Sequence, residues 1–337
     1  MSKVYIVAEM SANHCGNKDL AKKIIKTAKE IGADAIKIQT YTADTLTINC
    51  DTPLFQTKND GLWAGQTLYQ LYKKAYTPWE WQGELKQYAD EIGIDFFSTP
   101  FDKSAVDFLE KLNVPRYKIA SFEAIDYPLV RYAAQKHKPM VISVGISSFE
   151  EMQEAISVCK EVGNEDITLL KCTSSYPSTL GKLNLITIKD MIEKFGSQGV
   201  KIGLSDHSMS IIPPVLAVGL GVTMIEKHLT LDRSLGGEDC GFSLNAEEFK
   251  QMVKSVRDAE VALGHIDYSV DPRNRQGARS LFAVKAIQPG EIFSEDNIRS
   301  IRPGYGLHPK YYGAILGKSA KRVLAYGQPL TLEDVDL

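Results

Sequence analysis

Eight short β-rich apolar runs, each followed by a stretch that joins it to the next, succeed one another between residues 4 and 264. They are VYIVAEM (4–10), AIKIQT (35–40), DFFSTP (95–100), RYKIAS (116–121), MVISVG (140–145), ITLLKC (167–172), VKIGLS (200–205) and MIEKHLT (224–230). Helical patterns such as DLAKKIIKTAKEIG, SAVDFLEKLN, SFEEMQEAISVCKEVG and AEEFKQMVKSVRDAEVALG separate them. Parallel strands need crossovers of a dozen or more residues, and helices supply them, so eight such repeats predict a (β/α)8 barrel of the TIM type. The punctuation agrees: Ser147 or Ser148 can cap the helix that starts at Phe149, and Gly32, Gly93, Gly163 and Gly264 follow helical stretches. A doubly wound open sheet is the alternative, weakened by the lack of G-x-G-x-x-G after the first run.

In such a barrel the reactive groups stand at the C-terminal ends of the strands. In chain order those ends carry Glu9 with Asn13 and His14, Lys37 with Gln39, Ser98 with Thr99, Lys118 with Ser121 and Glu123, then Ser143. The last three carry Lys171 with Ser174 and Tyr176, Ser205 with His207, and Glu226 with His228. His207 and His228 end two neighbouring strands, joined by IIPPVLAVGLGV, which is long enough for a crossover helix. Two imidazoles with open positions describe a catalytic metal site better than a closed structural one, so the pair is expected to hold a divalent metal. Ser205, Asp206, Glu226, Lys227, Asp232, Arg233, Glu238 and Asp239 crowd the same region. Charge beside apolar strands is costly unless paired or used.

The rim chemistry has further parts. Lys37 and Lys118 alternate with the hydroxyls of Thr99, Ser121, Ser143 and Ser205, a lining suited to a phosphate and a carboxylate together. Glu9 and Glu123 are available for proton transfer. Between Thr40 and Pro78 runs a long excursion rich in aromatics. With the start of the next helix it brings Trp63, Tyr69, Tyr72, Tyr76, Trp79 and Trp81, is expected to fold over the barrel mouth, and has a turn at Gly61 before Trp63. The spacing of Tyr69, Tyr72 and Tyr76 also suits a buried helix face.

A chain of 337 residues, 44% hydrophobic, can bury one large core and a small second one. The net charge of −3 argues against nucleic acid as principal partner. The longest apolar run holds two prolines and falls short of the roughly 20 residues of a membrane span, and the N-terminus reads as a strand rather than a leader. Five scattered cysteines without a C-x-x-C pair suit a reducing, cytoplasmic setting. Residues 1–265 are read as the barrel, 266–280 as a polar linker, and 281–337 as a small β-rich domain without an amphipathic helix of ordinary length.

The motifs AEMSANH (8–14), IKIQTY (36–41), FFSTPFD (96–102), YKIASFE (117–123), LLKCTSSYP (169–177), GLSDHS (203–208) and EKHLTLDR (226–233), with RSLFAVKAIQPGE (279–291) and IRPGYG (301–306), closely resemble the sialic acid synthases. The resemblance runs in order along essentially the whole chain. It implies condensation of phosphoenolpyruvate with an amino-sugar aldehyde to a nine-carbon 2-keto acid, with release of phosphate. It implies a divalent metal (Mn2+, Mg2+ or Co2+) and an antifreeze-like C-terminal SAF domain that caps the partner's barrel in a domain-swapped homodimer. Position by position, His207 and His228 match the metal ligands, and Lys37, Thr99, Lys118, Ser121, Ser143 and Ser205 the phosphoenolpyruvate site, to which Ser174 is assigned as well without matching. Glu9, Tyr176 and Asp239 match the sugar side, Glu123 the carboxylate near the reacting carbon, and Arg302 an arginine reaching the partner's site. Ser174 departs from the neuraminate synthases, where an asparagine stands, and Val144 departs from a Ser-Thr-Gly pattern. Residues 60–81 look most like members acting on a 6-deoxy-altrose with two acetamido groups; sugars leading to N-acetylneuraminate or legionaminate are the alternatives. A catalytically silent sugar-binding protein is the alternative of another class, against which the set Glu9, Lys37, Glu123, His207 and His228 speaks.

Overall fold

The computed structural model describes residues 3–57 and 62–335. The turn expected at Gly61 lies outside them. By internal contacts the chain forms two units, Met1–Gly264 and His265–Leu337.

In the first unit β1 (Tyr5–Glu9), β2 (Ala35–Thr40), β3 (Asp95–Pro100), β4 (Tyr117–Ile119), β5 (Met140–Ser143), β6 (Ile167–Cys172), β7 (Lys201–Asp206) and β8 (Met224–His228) pair in chain order, and β1 pairs with β8 to close a parallel barrel. The expected runs were longer at β4, because the backbone leaves the sheet after Ile119. Ser121 and Glu123 stand on the turn that follows, where Glu123 N–H donates to Ala120 O at 3.1 Å. The surrounding helices are α1 (Lys18–Glu30), α2 (Ala43–Leu46), α3 (Leu68–Ala75), α4 (Trp79–Ile92), α5 (Lys103–Lys111), α6 (Tyr127–Ala134), α7 (Phe149–Glu161), α8 (Thr187–Phe195), α9 (Ile212–Leu220) and α10 (Ala246–Leu263). Ser148, not Ser147, caps α7, in a reciprocal box with Glu151. The all-apolar α9 starts on Pro213 and Pro214, whose missing N–H groups are orphans there anyway.

Strand alternation decides which side chains reach the barrel axis. Glu9 is in register with Lys37 on β2 and with His228 on β8, so these three face the interior in one row. Ser205 is in register with Glu226 on the same side. Asp206 and Lys227, also in register, take the other side, where the Lys227 ammonium sits 2.5 Å from Asp206 Oδ2 and 2.6 Å from Ser208 O. The crowding of charge seen in the sequence is thereby sorted into an inner set and an outer buried pair.

The excursion after β2 is not structureless. Thr42 caps α2 and Thr67 caps α3, each in a reciprocal box. Trp79 and Trp81 do not belong to the mouth: both lie on α4, where Trp79 packs on Phe108 of α5 and Trp81 packs against the barrel core and edge-on to His14. Two residues apart on a helix, the two rings take different sides: Trp81 turns to the barrel core, while the Trp79 indole donates to Tyr41 O at 3.1 Å.

The second unit pairs β9 (Ser280–Ala283) antiparallel with β10 (Ile298–Ile301) and adds isolated bridges such as Ile287↔Leu324 and Ala320↔Val335. Its helices are short, α11 (Pro272–Arg275) and α12 (Tyr312–Ile315). α11 falls in the polar stretch 266–280, whose last residue opens β9. A small core of Leu281, Ile287, Phe293, Ile298, Leu324 and Leu330 holds the unit. Among the described residues no helix is long and apolar enough to cross a membrane.

Candidate active site

The floor of the barrel mouth is a buried network of two lysines and two carboxylates. Lys37 Nζ lies 2.5 Å from Glu9 Oε2, 3.5 Å from Glu226 Oε1, and donates to Thr99 Oγ1 at 3.1 Å. Lys118 Nζ lies 3.9 Å from the same Glu226 oxygen. All four charged side chains are at least nine-tenths buried. Isolated charges in such a place would be prohibitive, and mutual pairing makes them tolerable. Burial pushes Glu9 up to about 7, opposed chiefly by the Lys37 ammonium. Burial acts the same way on Glu226, yet Lys118 and Lys37 outweigh it and hold that carboxyl below its usual range. Lys118 is lowered by burial, whereas Glu226 and Glu9 overcome burial to keep Lys37 raised. The floor therefore carries cationic donors ready for a bound anion. Glu226, placed from sequence at the end of the last strand without a role, is a structural member of it.

Around this floor stand hydroxyls. Ser174 Oγ donates to Ser121 Oγ at 3.0 Å, and the buried Ser143 Oγ has no hydrogen-bond partner among the described residues. A Cβ added at Gly145 would lie 2.5 Å from Ser174 Oγ and 3.0 Å from Ser121 Oγ, so only glycine leaves this pocket of hydroxyls open. Ser205 is buried beside them on β7. Glu123 Oε2 is buried without a hydrogen-bond partner among the described residues, and burial pushes its carboxyl up to about 7.

His207 and His228 lie with ring centroids 5.2 Å apart. Burial pushes His207 down to about 4 and His228 well below its ordinary value, so both are neutral and able to donate a lone pair. His207 Nδ1 lies 3.4 Å from Thr173 O, and His228 Nδ1 is buried with no hydrogen-bond partner among the described residues. An orphaned nitrogen on a buried neutral imidazole next to a second one fits a divalent cation. Among the described residues no three His, Cys, Asp or Glu side chains gather in a metal-holding arrangement, so the chain would offer two ligands and leave other positions to water or substrate.

The residues expected on the sugar side form a second wall. Gln39 Nε2 donates to Glu9 Oε1 at 3.1 Å and to Ser11 Oγ at 2.9 Å; the Ser11 hydroxyl donates to Asp239. Burial raises the Asp239 carboxyl, against the Ser11 hydrogen bond. Tyr176 packs on His207 at 4.5 Å, and Phe242 packs on His228 at 4.8 Å and on Tyr176 at 5.2 Å. Trp63 reaches this wall: its Nε1–H donates to Glu238 O at 2.8 Å and its ring lies 6.0 Å from Tyr176. Of the other aromatics, Tyr72 packs edge-on to Tyr41 and Tyr69 Oη donates to Asp44 at 3.1 Å. Ser11 and Phe242 were not singled out from sequence. The polar residue between Glu9 and Asn13 was a fair signal for the first, while Phe242 reads as an ordinary apolar residue. Arg302 follows β10 in the second unit, exposed and without a partner among the described residues.

A model of the NeuB family matches residues 24–268, and a SAF domain model matches 278–336. The chain is 48% identical over 335 residues to a pseudaminic acid synthase of Campylobacter jejuni, covering 98% of this chain and 96% of that protein. It is 45% identical over 335 residues to a pseudaminic acid synthase of Helicobacter pylori, covering 98% and 97%. A crystal structure of the spore coat polysaccharide biosynthesis protein SpsE from Bacillus subtilis superposes with a TM-score of 0.67 at 32% identity, covering 99% of this chain and 96% of that one.

Proposed function

The chain belongs to the NeuB family, and from that premise we propose that it condenses phosphoenolpyruvate with 2,4-diacetamido-2,4,6-trideoxy-altrose to give pseudaminic acid and phosphate. The observation that carries the reading is the row Lys37–Glu9–His228, with Lys118 beside it, in a chain whose likeness to the Campylobacter and Helicobacter synthases runs from end to end.

Lys37 and Lys118 neutralise the carboxylate and phosphate of phosphoenolpyruvate, and Thr99, Ser121, Ser143, Ser174 and Ser205 donate to its oxygens. Glu9, Gln39, Tyr176 and Asp239 hold the open-chain sugar with its aldehyde carbon toward C3 of phosphoenolpyruvate. C3 attacks that carbon, and the positive charge left at C2 is taken up by water. The Glu123 carboxylate receives the proton from this water before phosphate departs. A divalent metal (Mn2+, Mg2+ or Co2+) held by His207 and His228 supplies Lewis-acid activation of the aldehyde when bound.

The assembly we propose is a homodimer in which the SAF domain of one subunit covers the barrel mouth of the other and brings Arg302 to the sugar. The rim supports it, since Phe122, Ile125, Ile146, Leu180 and Met209 expose large apolar faces on loops at the C-terminal ends of the strands. Five cysteines without a disulfide support a cytoplasmic setting. The test is phosphate release. It is expected only when phosphoenolpyruvate, sugar and divalent metal are all present, and to vanish in His207→Ala and His228→Ala; release that survives chelation would contradict the metal assignment, and release without sugar the reaction.

A further inference from the structure

Cys15 and Cys240 belong to different loops of the mouth, one after β1 and one after β8, yet meet at Gly237. A Cβ added at Gly237 would lie 2.7 Å from Cys15 Sγ and 3.0 Å from Cys240 Sγ. The missing side chain leaves the two sulfurs room to face each other across the glycine. Cys15 is exposed to solvent, while Cys240 is buried behind it. Cys159, by contrast, is sealed in the barrel core, and Cys172 lies under the serine cluster of the site.

The position of the pair gives it a consequence. Ser11 and Asp239 are joined by a hydrogen bond, and Ala12 N–H points at Asp239 Oδ2 from 3.5 Å. Cys240 follows Asp239 directly, and Cys15 caps the 3-10 turn Ser11–His14. A covalent link between the sulfurs would therefore pull on both ends of the contact that holds the sugar-side carboxylate.

We propose that Cys15 and Cys240 form a dithiol modification site whose chemical partner is a small-molecule disulfide, and that their oxidation to a disulfide lowers turnover by displacing Asp239. The functional half of this rests on the reading of Asp239 as a sugar-side residue; the chemical half does not. Cys15 attacks one sulfur of the small disulfide, releasing one small thiol and leaving a mixed disulfide on the exposed residue. Cys240 then loses its proton and attacks Cys15 Sγ, releasing the second small thiol. Two protein thiols are oxidised and one disulfide bond is reduced, so atoms and electrons balance. Burial first and Cys240 second push Cys15 up to about 11, so the exchange is slow at neutral pH and is followed to completion over hours.

The experiment incubates the full-length protein with oxidised glutathione and reads intact mass, a non-reducing peptide map and turnover. The expected result is loss of two hydrogens in mass, a Cys15–Cys240 cross-linked peptide, and a fall in kcat/KM of about tenfold that dithiothreitol reverses. Cys15→Ser is expected to keep turnover under the same treatment and to show no cross-link. Absence of the cross-linked peptide, or equal inactivation of Cys15→Ser, would overturn the proposal. Since mass and peptide map need no substrate, a cross-link that forms while no sugar turns over would instead fault the reaction assigned to the site.

Discussion

Glu123 stands on the turn after β4 with a carboxyl that burial pushes up to about 7 and one oxygen without a hydrogen-bond partner among the described residues. A base must be deprotonated to take a proton from water, and the deprotonated share falls as pH drops through that value. Turnover is therefore expected to be near half its plateau at about pH 7 and to decline toward acid, and Glu123→Gln should lower kcat by about 10²–10⁴-fold and remove its share of that acid limb, the raised Glu9 carboxyl keeping its own. An unchanged pH–rate profile in Glu123→Gln would contradict the assignment. Most of the site was legible at this scale because a barrel turns strand order into a ring: once the eight runs are placed, the polar residue at each end is placed with them. What was not legible is how charges pair across strands. Glu226 and Lys227 are neighbours in sequence, but alternation sends the first to Lys37 and Lys118 inside and the second to Asp206 outside.

At the scale of elements, the outer Asp206–Lys227 pair clamps β7 to β8 just where each ends in a histidine. Removing one partner leaves an uncompensated buried charge, so Lys227→Met should cost about 3–5 kcal/mol by denaturant titration, whereas breaking the exposed Lys254–Asp258 pair should cost at most about 1 kcal/mol. Equal effects would contradict the clamp. The excursion after β2 makes a second division. Trp63 docks on Glu238 O beside Tyr176, but Trp81 is part of the barrel's outer packing. Trp63→Ala should reduce discrimination between sugars by about tenfold with little loss of stability, while Trp81→Ala should cost about 3 kcal/mol and leave discrimination intact. The reverse pattern would show that the docked loop does not select the sugar. The sequence could not separate these tryptophans because aromatic content reports burial, not the partner that buries it.

For the whole molecule, the barrel and the SAF unit each have their own core, and the proposed dimer makes them serve each other's subunits. A chain ending at His265 should keep the barrel's circular dichroism and lose sugar turnover. Arg302→Ala mixed with Lys37→Ala should recover part of the activity in heterodimers, because one composite site is then intact; confirmed heterodimers without recovery would contradict contribution across the dimer. The order of strands and the change of texture after Gly264 were readable from periodicity alone, but the pairing of subunits is a property of surfaces that periodicity does not encode. The reaction itself is tested most directly by comparing kcat/KM for 2,4-diacetamido-2,4,6-trideoxy-altrose and N-acetylmannosamine, with phosphoenolpyruvate and Mn2+. Trp63, Tyr176 and Phe242 present aromatic faces on the mouth wall, and a hydroxyl left unpaired against such a face costs about 1–3 kcal/mol, so the altrose sugar is expected to win by about 10–100-fold. Equal or faster turnover of N-acetylmannosamine would contradict the account.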